Sequence, residues 1–138
     1  MNNQKNIVLC GVGGQGTVLA SKLLAAAAMS KDIPVMSAET IGMAQRGGSV
    51  FSHLRMGDNL YSPMIETGTA DLIIGFEPGE TVRMLPYLKD HGHIVVSTRA
   101  VKPVTATLSG SDYDAPQMLE YLKAVSYTHL TLPTICSV

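Results

Sequence analysis

Apolar and polar positions along this chain fall into short blocks of two periods. Asn6-Ile7-Val8-Leu9-Cys10, Asp71-Leu72-Ile73-Ile74-Gly75-Phe76 and His93-Ile94-Val95-Val96-Ser97 are brief, mostly apolar runs, the pattern of parallel strands covered on both faces. Ile33-Pro34-Val35-Met36-Ser37 reads as a further strand, with Pro34 tolerable near its start. Ser49–Met56 alternates instead: Val50, Ser52, Leu54 and Met56 would share one face, and Ser49, Phe51, His53 and Arg55 the other. Helical stretches lie between. The stretch Thr17–Ser30 has Val18, Leu19, Leu23 and Leu24, the run Ala25–Ala28, and Lys22 as its one charge. A helix so apolar is expected to be covered on most sides, and its alanines permit close approach. Thr81–Lys89 reads as a helix limited or kinked by Pro86. Ala115–Ala124 reads as an amphipathic helix with Pro116 in its first turn.

Strands alternating with helices predict an α/β fold: a Rossmann-like, three-layer open, mainly parallel sheet with helices on both faces. The first strand, helix and second strand form one βαβ unit of roughly 30 residues. At 138 residues the chain suits a single domain, and 46% apolar against 15% charged residues argues against disorder. The net charge is −1 with no basic block, so no nucleic-acid partner is expected. No segment is long and apolar enough to export the chain or span a bilayer, so no membrane role and a cytoplasmic location are expected. The two cysteines, Cys10 and Cys136, are far apart with no CxxC, so this chain alone is not expected to ligate an iron–sulfur cluster or structural zinc. Cys10 reads as a small buried hydrophobe ending a strand.

Two constellations carry candidate chemistry. Gly11-x-Gly13-x-x-Gly16 follows a strand and opens a helix, the context in which glycines adopt positive φ, bare amides approach an anion and the helix N-terminus adds free N–H groups. The same spacing also serves a tight, closely packed turn that binds nothing. Glu39, just past the second strand, reads either as a ribose-binding carboxylate or as a solvated loop residue. Gln45-Arg46-Gly47-Gly48 joins a planar guanidinium fork to exposed backbone. Its alternative is an arginine on an exposed loop. In a parallel sheet both loops would converge on the edge where ligands bind.

Together, "GVGGQGTVLASKLLAAAAM" and "SAETIGMAQRGGSVFSHLRMG" resemble the gamma-type catalytic domain of the pyruvate/2-oxoacid:ferredoxin oxidoreductases, most closely its indolepyruvate branch; "SPMIETGTADLIIGFEPGE" and the DYDA stretch Asp112–Ala115 agree. The resemblance implies an oxidoreductase that decarboxylates a 2-oxoacid on thiamine diphosphate, passes electrons through 4Fe-4S clusters to ferredoxin and delivers the acyl group to coenzyme A. Arylpyruvates would give aryl-acetyl-CoA. It places thiamine diphosphate and the clusters on a larger alpha subunit. To this chain it leaves the closing of the active-site region, with Gly11, Gly13, Gly14, Gln15, Gly16, Gln45, Arg46, Gly47 and Gly48 as the candidates for contacting coenzyme A or phosphate. No catalytic residue is assigned. His53 is expected to be partly exposed, and His91 and His93 lack a third metal ligand, so no metal site is expected. The methionines read as core filler.

The resemblance runs from about Lys5 to Ala124. From Val125 onward the chain shows neither core period nor capping logic and resembles the translation of a sequencing adaptor. Residues 1–124 are therefore expected to form a C-terminally truncated domain, and residues 125–138 a non-native tail. Two competing readings are a free-standing NAD(P)- or FAD-binding Rossmann protein and a non-catalytic assembly domain whose glycine turn only packs. The Gln45–Gly48 motif favours the oxidoreductase subunit over the free-standing dinucleotide binder.

Overall fold

The computed structural model describes residues 3–41, 47–102, 104–110, 112–125 and 127–131. In chain order the elements are β1 (Lys5–Val12), α1 (Thr17–Met29), β2 (Val35–Ile41), β3 (Ser49–Met56), β4 (Ala70–Gly75), α2 (Pro78–Met84), β5 (Leu88–Ser97), α3 (Val104–Ser109), α4 (Ala115–Val125) and β6 (Tyr127–Thr131). They form one six-stranded sheet in the order β2-β3-β1-β4-β5-β6. β4 is parallel to β1, β5 to β4 and β6 to β5, whereas β3 runs antiparallel to both β1 and β2. The sheet is thus mainly parallel, as the strand patterns predict, with one reversed strand between β1 and β2.

Side chains alternate across the sheet, and each face has its own core. Ile7, Leu9 and Leu54 pack under α1 with Ala20, Leu24 and Ala25. Val8, Cys10, Ile73, Ile94 and Val96 face the other way, against Met84 of α2 and Leu122 of α4. Among the described residues nothing covers the outer side of α1, where Leu19, Leu23 and Met29 are each 62% exposed.

Several boundaries differ from the sequence reading. β2 starts after Pro34 rather than at Ile33, because proline supplies no N–H to the antiparallel ladder that begins at Val35↔Met56. The helix expected over Thr81–Lys89 starts earlier and stops earlier. Glu77 caps α2 by accepting the Glu80 N–H at 2.9 Å, with Pro78 in the first turn. Pro86 then sits in a 3-10 turn, Leu85–Tyr87, that passes directly into β5. α3 has no counterpart among the expected elements, and the backbone of Tyr127–Thr131 lies beside β5 as an edge strand.

His53 is buried, not partly exposed: only 1% of it reaches solvent. The backbone N–H of Ile65 donates to its Nδ1 at 2.8 Å, and its ring stands edge-on to Tyr87 at 5.0 Å. This neutral imidazole fastens the long β3–β4 connection to the sheet. Burial holds its pKa below the ordinary histidine value, because the charged form would be desolvated and Nδ1 would lose its acceptor lone pair.

Two measurements check this packing. Leu54→Ala, at a site with no exposed surface, is expected to cost about 3 kcal/mol in urea denaturation with an unchanged m value. For His53 the unfolded chain binds the proton more readily than the folded one, so stability falls as pH drops through about 6.5 and levels off below the folded pKa. In pH-dependent denaturation, His53→Gln is expected to flatten that part of the profile.

Candidate functional site

The glycine turn joins the end of β1 to the start of α1. The Gln15 N–H closes it on the Val12 carbonyl at 3.1 Å. Gly14 and Gly16 have φ of 96° and 87°, the left-handed region that glycine enters at little cost. A Cβ at either would meet open space, so these two glycines serve conformation and leave bare backbone outward. Gly11 has a different reason. A Cβ there would come within 2.7 Å of Thr17 Oγ1 and 2.8 Å of Gln15 Oε1, so close packing excludes any side chain.

Gly16 caps α1 with no side-chain hydrogen bond and no acidic residue in the first turn; the Ala20 N–H is the first to bond back, to the Gly16 carbonyl at 2.9 Å. The amides of Thr17, Val18 and Leu19 therefore have no intrahelical acceptor, and the positive end of the helix dipole is uncompensated. They border a cavity of about 400 Å³ lined by Val12, Gly13, Gly14, Gly16, Thr17, Val18, Leu19 and Val50. The arrangement suits an anionic group on backbone amides beside an apolar moiety.

The two glycine motifs meet. The Gly13 N–H donates to the Gly48 carbonyl at 2.8 Å, and the Gly47 N–H points to the Gly13 carbonyl at 3.5 Å. Gln45 and Arg46, which precede them in sequence, lie outside the described residues. Glu39 is not past the second strand but within β2, exposed and opposite Ser52 of β3.

Gln15 has a role its position in the motif did not reveal. Its Oε1 accepts the Val12 N–H at 2.7 Å and its Nε2 donates to the Phe76 carbonyl at 3.2 Å. Its carboxamide thus bridges the ends of β1 and β4, adjacent parallel strands whose following helices pack on opposite faces. That seam is the switch point where a doubly wound sheet takes a dinucleotide. Here a side chain crosses it, and the open backbone faces α1 and β3.

Sequence reasoning missed the carboxylates after β4. Glu77 and Glu80 are 0% and 2% exposed. Burial pushes the Glu77 carboxyl up from its ordinary value, the bond from the Glu80 N–H opposes this, and the neighbouring Glu80 charge adds to the rise. Glu80 accepts from the Ser49 hydroxyl and lies 3.4 Å from Arg83 Nη1. The signal was present: Glu-Pro-x-Glu directly after an apolar strand is a helix start, with the acceptor at the cap and proline in the first turn. Cys10, in contrast, is as expected: it is buried, and burial pushes its thiol up to about 12, with only a 3.9 Å contact to Thr81 Oγ1 opposing it. Among the described residues no group of three or more His, Cys, Asp or Glu side chains is placed to hold a metal, and no helix is long and apolar enough to cross a membrane.

Comparison with known proteins places this geometry. The family model described as pyruvate ferredoxin/flavodoxin oxidoreductase matches residues 6–129. The chain is 42% identical over 108 residues to indolepyruvate oxidoreductase subunit IorB of Methanothermobacter thermautotrophicus, covering 78% of this chain and 55% of that protein. It is 40% identical over 120 residues to the same-named subunit of Pyrococcus horikoshii, covering 87% and 58%. It thus spans little more than half the length of these curated relatives. The fold is shared with a solved keto/oxoacid ferredoxin oxidoreductase gamma subunit from Geobacter sulfurreducens (TM-score 0.55, 19% identity, 93% of this chain and 60% of that one). It is shared too with a 2-oxoglutarate:ferredoxin oxidoreductase from Magnetococcus marinus solved with 2-oxoglutarate, coenzyme A and succinyl-CoA bound (TM-score 0.61, 20% identity, 80% and 17%). The chain belongs to the pyruvate ferredoxin/flavodoxin oxidoreductase family.

Proposed function

We propose that this chain works in the cytoplasm as part of a 2-oxoacid:ferredoxin oxidoreductase, oxidising indolepyruvate or a related arylpyruvate to its acyl-CoA with a larger partner subunit. The observation that carries its share of the work is the ledge of bare backbone at Gly14, Gly16 and the first turn of α1, opening on an apolar-lined cavity. A coenzyme A phosphate suits the amides, and the apolar wall beside them suits uncharged parts of the same molecule.

The redox groups belong to the partner in this reading. An iron–sulfur cluster needs several thiolates. This chain has two cysteines, and Cys10 is held protonated in the core, so its residues do not fit a cluster. What the chain does is bind and orient: amides of the glycine turn receive negative charge, Gln15 holds the turn to β4, and Arg46, two residues before Gly48 in sequence, is the cation assigned to the same anion.

Reconstitution with the large subunit tests this. Arylpyruvate-dependent viologen reduction is expected only when both chains are present. Arg46→Ala is expected to raise the KM for coenzyme A about tenfold with little change in kcat, the signature of lost binding common to ground and transition states. Unchanged kinetics would remove Arg46 from coenzyme A binding. Saturable micromolar binding of NADH by this chain alone would return the dinucleotide reading.

A further inference from the structure

We propose that Glu80 is a positioning residue whose buried carboxylate fixes the start of β3 and thereby sets the second glycine pair against the first. The proposal rests on the function above only for the identity of what the ledge binds. Glu80 lies on α2 and is 2% exposed. One carboxylate oxygen accepts from the Ser49 hydroxyl. The other lies 3.4 Å from Arg83 Nη1, and that same nitrogen is 3.3 Å from Ser49 Oγ, so the three side chains close a triangle. The Arg83 side chain is 62% exposed and the Glu80 side chain 3%.

A carboxylate buried this deeply is unfavourable unless its oxygens are paired, and an apolar side chain would pack α2 on the sheet at less cost. What the carboxylate supplies is register between two elements. Ser49 is the first residue of β3 and pairs with Val12, the last of β1. The next residue outward on each strand, Gly48 and Gly13, makes the 2.8 Å bond that joins the loops. A shift of Ser49 therefore passes to the loop-to-loop bond within one residue. Gly13 and Gly48 have no side chains of their own to do this, so the bond between them takes its position from the strands they extend. The anchor has to come from outside, and α2 provides it.

Amide exchange in the full 138-residue chain tests the anchor. In Ser49→Ala, which removes one hydroxyl, the Gly13 amide is expected to exchange about tenfold faster while the core amide of Ile94 is unchanged. Glu80→Gln, a neutral and weaker acceptor, is expected to act in the same direction. Unchanged Gly13 protection in Ser49→Ala, or an equal rise at Ile94, overturns the proposal. With the large subunit present, Ser49→Ala is expected to raise the KM for coenzyme A and leave kcat in place. A loosened Gly13 with an unmoved KM supports the anchor and removes coenzyme A from the ledge, whereas a protected Gly13 removes the anchor whatever the KM.

Discussion

Everything at the candidate site depends on the antiparallel pairing of β3 with β1. The ladder runs from Lys5↔Met56 to Val12↔Ser49 without a break. Because β3 is reversed, its first residue lies at the same edge as the last residue of β1. The loop before β3 and the loop after β1 are therefore neighbours, and their glycines bond across the gap. Had β2 paired directly with β1 in a uniformly parallel sheet, the second glycine motif would have had no such partner. Register in a sheet with two covered faces is strongly specified, since a one-residue slip would turn Leu54 out of its core and His53 into the other.

Much of this was legible in the residues. The strands of continuous apolar character, β1, β4 and the C-terminal half of β5, are read correctly because a strand buried on both faces has no choice but to be apolar. The alternation in β3 was legible for the opposite reason, yet its direction was not: a strand's pattern is the same read either way, and direction comes from which neighbour it pairs with. The βαβ reading of β1, α1 and β2 is right about the elements and their relative direction, but period and composition cannot show that a later strand inserts between two earlier ones. Pro86 is visible as a helix limit, while the start of α2 rests on a buried carboxylate cap that hydrophobic period does not register.

At the site, the glycines were legible as a turn opening a helix, and the division of labour among them was not. Gly11 yields to packing, whereas Gly14 and Gly16 yield to backbone conformation. Gln15 reads from the sequence as one more candidate for contacting a ligand; its carboxamide instead fastens the turn to β4. The carboxylates of Glu77 and Glu80 and the imidazole of His53 share a lesson. Each polar group is buried and hydrogen-bonded to backbone or hydroxyl partners distant or unremarked in sequence, and each fastens an irregular segment or element end to the sheet.

A recognition surface built from main chain has a particular selectivity. Peptide N–H groups at Gly14, Gly16 and the first turn of α1 respond to the sign and shape of what approaches them, and they are the same in any protein whatever its side chains. Such a platform is indifferent to whether the rest of an anion that meets it is aromatic or aliphatic. Discrimination by side-chain shape therefore has to come from other surfaces, and this glycine edge can stay constant while the residues around it vary.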